Sequence, residues 1–325
     1  MLKQIATAAF GAVLALGAAT CATRAGEEES LPYTQVAGVA GTINSIGSDT
    51  MNNLMTLWGE AFRAMYPNVN IQVEGKGSGT APPALAAGTA QLGPMSREMT
   101  EKEIEAFEKE RGFKPTEIAV AVDCLAVFVN KDNPIRGMTL AQIDAVFSST
   151  LRRNPDRREG MKTWGELGLT DEWAQRAFSL YGRNSVSGTN VYFKENALAK
   201  GDFLPTVKEQ PGSAAVIHGI AGDKAGIGYS GIGYTSPDVR IVPLAEKDGD
   251  AFVEANFENA VNGAYPLSRL LYIYVAKNPA QPLDPATKEF LKFVLSKEGQ
   301  EIVRKDGFGA LPIALAAEMP ALWGD

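Results

Sequence analysis

Three times along this chain a short run of glycine and hydroxyl residues precedes a helix-like segment. The runs are Gly47-Ser48-Asp49-Thr50, Gly77-Ser78-Gly79-Thr80 and, four residues beyond Arg183, Ser187-Gly188-Thr189. A strand-like segment lies upstream of each. Residues 42–46 read as a short strand. Met51, Leu54, Met55, Trp58, Phe62 and Met65 then recur at three- and four-residue steps, which predicts an amphipathic helix ending before Pro67. Val69, Ile71 and Val73 alternate as a half-buried strand, and Ala81-Pro82-Pro83 opens a helix with proline in its first turn, where a missing N–H costs nothing.

The alternation continues. An acidic helix is expected over 100–111 with Gly112 as its stop, then a long strand over 117–130 and a helix over 139–147 capped by Thr139. Strand 178–183, a helix from Thr189 to about Lys200, glycine-rich strands at Ile227-Gly-Tyr and Ile232-Gly-Tyr, and strand 271–275 follow. One long helix from Pro285 to Gly307 closes the chain. This order predicts an α/β protein. With 325 residues the chain exceeds what one core holds, so two lobes are expected. The closing helix has no partner nearby in sequence and is expected to pack back on the first lobe, so that the chain crosses between lobes near 117–130 and 265–275.

Composition removes several functions. One histidine and two cysteines leave almost nothing from which to build a zinc site, and a histidine-dependent triad would have only His218, which sits in an apolar helical stretch and reads as structural. Neither a catalytic residue, a metal nor a cofactor is expected. The formal charge of −7 disfavours nucleic acid. Gly226-Ile-Gly-Tyr-Ser-Gly231 matches a dinucleotide fingerprint, but no helix follows it. The clustered Arg152, Arg153, Arg157 and Arg158 read as a solvated loop.

The N-terminus reads as an address. Lys3 precedes an uncharged stretch from Ile5 to Thr20, too short for a membrane span but suited to a signal peptide covering residues 1–25. Cys21 is a weaker candidate for lipid anchoring. Removing Lys3 and Arg24 leaves 29 basic against 38 acidic residues, a net −9. Cys124 is then the only cysteine, expected as a buried free thiol.

Each glycine–hydroxyl run offers side-chain hydroxyls and the unpaired N–H groups of a helix start, where an anion gains hydrogen bonds and a favourable dipole together. Any one of them is also ordinary capping. Together with Arg183 they form a set suited to holding a tetrahedral oxyanion without covalent chemistry.

The order Gly-Ser-Asp-Thr-Met51, Gly-Ser-Gly79, Gly-Pro-Met-Ser-Arg97 and Arg183-x-x-x-Ser187-Gly-Thr189 resembles the phosphate-binding proteins of phosphate-specific ABC transporters over nearly the whole mature chain. The resemblance implies a type II periplasmic-binding-protein fold. Each of its lobes is a central sheet flanked by helices, and two hinge crossings join them; here they would be 38–122 with 270–325, and 123–269. It implies a monomeric periplasmic receptor that closes on inorganic phosphate and hands it to an inner-membrane permease. The implied ligand set is Ser48, Asp49, Thr50, Met51, Ser78, Gly79, Ser96, Arg97, Arg183, Ser187, Gly188 and Thr189. The chain departs from the commonest pattern at two positions. Met95-Ser96-Arg97 stands where many relatives carry an aspartate that accepts the proton of bound phosphate, and Ser185 where another aspartate would orient the arginine. Asp49 is expected to take over the acceptor role, and Arg97 either to add a second cation or to stand exposed at a helix start. Receptors for sulfate, molybdate or an organic phosphate, and a secreted phosphatase or sensory protein on the same fold, are the alternatives.

Overall fold

The computed structural model describes residues 31–319. The leader at 1–25 and Cys21 lie outside the described residues.

The first half runs β1 (Gly41–Gly47), α1 (Asn52–Met65), β2 (Val69–Gly75), α2 (Ala81–Ala87), β3 (Gly93–Met95), α3 (Glu101–Arg111) and β4 (Thr116–Asn130). β1 and β2 pair in parallel from Gly41↔Val69 to Gly47↔Gly75, the arrangement a crossover helix between two strands permits. α1 buries its predicted stripe, Leu54, Met55, Trp58 and Phe62. β3 lies beside β1, tied by the Ile46 N–H to the Leu92 carbonyl (3.1 Å) and the Ser48 N–H to that of Pro94 (2.7 Å).

The middle of the chain holds β5 (Met138–Thr139), α4 (Leu140–Phe147), β6 (Ser179–Arg183), α5 (Gly188–Asn196) and β7 (Lys208–Gln210). It continues with α6 (Ser213–Ala221), β8 (Gly226–Gly231), β9 (Val239–Val242), β10 (Leu244–Ala245) and α7 (Phe257–Val261). The last part holds β11 (Ser268–Val275), α8 (Pro285–Leu295), α9 (Lys297–Lys305), β12 (Gly309–Ala310) and α10 (Ile313–Glu318).

β4 joins the two halves. Strands run in the order β3-β11-β4-β8-β6-β7, with β9 and β12 also paired to β4. Thr116 to Cys124 pair with β11, and Leu125 to Val129 pair with β8. The partner therefore changes between Cys124 and Leu125. β4 is buried from Ile118 to its end, which is why its sequence is a continuous apolar run rather than an alternating one. The C-terminal helices return to the first half: the Trp58 indole donates to the Gly299 carbonyl (2.8 Å), and Gln300 Nε2 to that of Val120 (3.0 Å).

Three local expectations are corrected. The closing helix is two helices, because Ser296 is extended and its Oγ accepts the Gly299 N–H (3.2 Å), starting a new helix where one was expected to continue. Ile232-Gly-Tyr is a tight 3₁₀ turn, with Gly233 so close to the Gly307 backbone that a Cβ would stand 2.8 Å from its carbonyl oxygen. Arg153 is only partly solvated: its guanidinium donates to the Asn196 and Ala197 carbonyls at the C-terminal end of α5, while Arg152, Arg157 and Arg158 are exposed as expected. His218 is exposed on α6. Cys124 is a buried free thiol whose S–H donates to the Asn256 carbonyl (3.3 Å), and burial pushes its pKa up.

Candidate functional site

On the first half, backbone hydrogen bonds gather three loops at one end of β1. The Gly77 N–H donates to the Gly47 carbonyl (2.8 Å), and the Ser48 N–H to that of Pro94, next to Met95 and Ser96. Ser78 and Ser96 meet there, buried, with Oγ atoms 3.2 Å apart and the Ser96 N–H on Ser78 Oγ (3.0 Å). Gly77 adopts φ +108°, which favours glycine, at the entrance to that loop.

On the second half, β6 ends at Arg183 and α5 starts at Gly188. Asn190 Nδ2 donates to the Arg183 carbonyl (2.8 Å), and the Tyr229 hydroxyl accepts the Arg183 N–H (3.2 Å). Tyr229 in turn stacks on Phe193 of α5, ring centroids 3.9 Å apart. Strand end and helix start are thereby held as one unit. Ser187 caps α5 by accepting the Thr189 N–H (3.2 Å).

The two units touch. Thr50 Oγ1 and Thr189 Oγ1 are 2.9 Å apart, the Tyr234 hydroxyl donates to the Thr50 carbonyl (2.9 Å), and the Gly79 N–H donates to the Val186 carbonyl (3.2 Å). A Cβ on Gly188 would lie 2.4 Å from Ser78 Oγ and 2.6 Å from Ser96 Oγ, so only glycine lets the start of α5 approach the two hydroxyls. Ser78, Ser96, Thr50, Ser187 and Thr189 are all buried.

Two arginines serve this space. Arg183 is fully buried, pairs through Nη2 with Asp49 and donates from Nη1 to Ser213 Oγ (2.7 Å). Burial pushes its pKa down to about 10, with the neighbouring Arg269 charge adding to the effect; it stays cationic at neutral pH. Arg269, on β11, faces its ladder partner Asp123 on β4. It donates to Asp123 Oδ2 from Nε (3.0 Å) and Nη2 (2.7 Å), and Nη2 also reaches Thr189 Oγ1 (2.9 Å).

The predicted residues divide accordingly. Thr50, Ser78, Ser96, Arg183, Ser187, Gly188 and Thr189 come together. Ser48 Oγ accepts the Met51 N–H (3.3 Å), so those two serve the first turn of α1, and the Gly79 N–H is spent on Val186. Both Asp49 oxygens are engaged by the protein: Oδ1 accepts the Thr50 N–H (3.0 Å) and Oδ2 takes Arg183. It is the carboxylate that pairs with Arg183. Arg97 is neither exposed nor a free second cation. Its fork holds Glu103 at 2.7 Å through both nitrogens; burial alone would raise the Glu103 pKa, but Arg97 and Thr100 hold it below the usual range. Arg269 and Asp123 were not foreseen. The available signal was a lone acid inside the apolar run 118–129, since a charge there needs a buried counter-charge. No group of acidic, histidine and cysteine side chains among the described residues could hold a metal ion.

A model for a PBP superfamily domain matches residues 32–298. The chain is 54% identical to the phosphate-binding protein PstS of Pseudomonas aeruginosa PAO1, covering 97% of both chains, and 27% identical to the PstS of Bacillus subtilis, covering 84% of this chain and 81% of that one. Among solved structures it resembles a Clostridium perfringens protein described as a putative phosphate ABC transporter substrate-binding protein with bound phosphate. That match has a TM-score of 0.69 and 26% identity, and covers 83% of this chain and all of the other.

Proposed function

The chain belongs to the phosphate-binding proteins of the PBP superfamily, and on that premise we propose that it captures inorganic phosphate between its two lobes and delivers it to an ABC permease. The observation that carries this is the meeting of Ser78, Ser96, Thr50 and Thr189 hydroxyls with the start of α5 beside a buried guanidinium. Neutral donors, a helix dipole and one cation would hold a tetrahedral anion by hydrogen bonds alone, with its field confined by burial. No nucleophile or general base is needed, and the protein acts without turnover.

The lobes are 38–122 with 270–325, and 123–269. They close by bending at β4 and β11, and the permease senses the closed form. The receptor works as a monomer in the periplasm after loss of residues 1–25, with no nucleic-acid partner. No helix among the described residues is long and apolar enough to cross a membrane.

Titration calorimetry of the mature chain against phosphate, sulfate and molybdate tests the assignment. Phosphate should bind tightly and sulfate not at all, and Arg183→Ala should weaken phosphate at least ~100-fold, as expected for losing charge-assisted bonds worth about 1.5–3 kcal/mol each. Sulfate bound in preference to phosphate would overturn it.

A further inference from the structure

We propose that the chain carries a second ligand site, separate from the anion site, for a small organic cation that also bears hydroxyl groups, such as an amino sugar.

A cavity of about 520 Å³ lies between the loop after β3 and β11 on one side and α5 on the other. That is the size of a small-molecule pocket. None of the predicted residues that come together at the anion site lines it. Arg269 touches both spaces: its Nη2 donates to Thr189 Oγ1, and it also lines the cavity.

The floor offers donors. Arg97 and Arg269 are 7% and 3% exposed, and Arg97 Nε and Arg269 Nη1 have no partner among protein atoms. Their charges are already matched, Arg97 by Glu103 and Arg269 by Asp123. A buried N–H in this state gains from an uncharged oxygen brought to it, and a second carboxylate is not called for. Arg153, the third arginine of the lining, is engaged by the carbonyls that end α5.

The rim has the opposite character. Glu98, Glu195 and Glu246 come from three separate parts of the chain, and all are exposed. Glu98 accepts a neutral group, the Tyr272 hydroxyl (3.2 Å). With the arginines matched, these acids give the mouth a negative field. Tyr192 and Tyr272 stand in the walls, and the Arg269 guanidinium already lies over the Tyr192 ring, 5.3 Å from its centroid. Carboxylates beside aromatic rings attract an ammonium. The cavity is far larger than a metal ion requires, and no group of acidic, histidine and cysteine side chains among the described residues could hold one, so the cation is organic. An ammonium at the mouth with hydroxyl oxygens at the floor satisfies both ends at once.

Calorimetric titration of the mature chain, with phosphate in excess and at mildly acidic pH where the glucosamine amine is protonated, tests this with three probes. Glucosamine has both features, glucose has the hydroxyls without the charge, and cyclohexylamine has the charge without the hydroxyls. Glucosamine should bind one-to-one and at least ~10-fold more tightly than either of the others. The double variant Glu98→Gln, Glu195→Gln removes two exposed charges and no buried group. It should weaken glucosamine roughly 10-fold while phosphate, titrated separately, binds as in the wild type. Absence of saturable glucosamine binding, equal binding of glucose or cyclohexylamine, or a double variant that binds glucosamine undiminished overturns the proposal. A matching loss of phosphate affinity in the double variant would make the cavity part of the anion site and overturns it as well.

Discussion

Among the described residues two arginine–aspartate pairs have a fully or almost fully buried arginine, and they are joined in different ways. Arg269 and Asp123 are cross-strand partners in the β11–β4 ladder. Pairing of these two strands is enough to create the contact. Arg183 and Asp49 come from opposite halves, one at the end of β6 and the other in the loop before α1. In this structure they meet across the two halves. Equal chemistry is therefore reached by two routes: one pair lies within a sheet ladder, and the other bridges a loop and a strand end from different halves, where the proposed closure would act on it.

Removing one partner of each pair is the sharpest test. Arg269→Ala leaves Asp123 buried and uncompensated in a sheet and should cost about 3–5 kcal/mol of stability without ligand, read by chemical denaturation. Asp49→Ala should cost far less in the same measurement, because in the proposed opening of the lobes Arg183 would return to water. Comparable losses would mean that both pairs are scaffold. Gly188→Ala sharpens the comparison from the closure side. Its Cβ collides with Ser78 and Ser96, so phosphate affinity should drop roughly 10–100-fold, in line with the penalty for misplaced binding groups. Stability should be unchanged, and small-angle scattering should no longer show compaction on adding phosphate. The smallest effect is expected for Arg153→Ala, which frees the last carbonyls of α5. A loss of about 1 kcal/mol in stability with near-normal affinity fits a cap remote from the anion.

The sequence carried the elements well where period and punctuation agreed. Thr100 and Thr139 form capping boxes with Glu103 and Gln142, and the stripe of α1 is buried as its spacing requires. It misled where one residue decides a local competition, as at Ser296, whose hydroxyl starts a second helix inside an apolar pattern that reads as continuous. For the site, the glycine–hydroxyl loops were legible because donors at helix starts have a local signature. Pairs were not. Asp123 and Arg269 stand 146 positions apart, and Asp49 and Arg183 meet only through tertiary structure. An expectation built from local motifs gave Asp49 a free carboxylate and Arg97 a free charge; each is engaged by a neighbour that no spacing rule reveals.

The course of β4 also sets the order in which the protein can be assembled. Its first half needs β11, its second half needs β8 and β9, and Gln300 and β12 close over it from still further along the chain. Pairings this distant in sequence require long loops to close before any contact rewards them, and they slow folding. During synthesis β1 to β4 exist long before β11, so the N-terminal portion stays an unfinished sheet until almost the whole polypeptide has been made. A nascent chain of this design remains open to chaperones and to any machinery that moves unfolded polypeptide, and the portion made first is completed last.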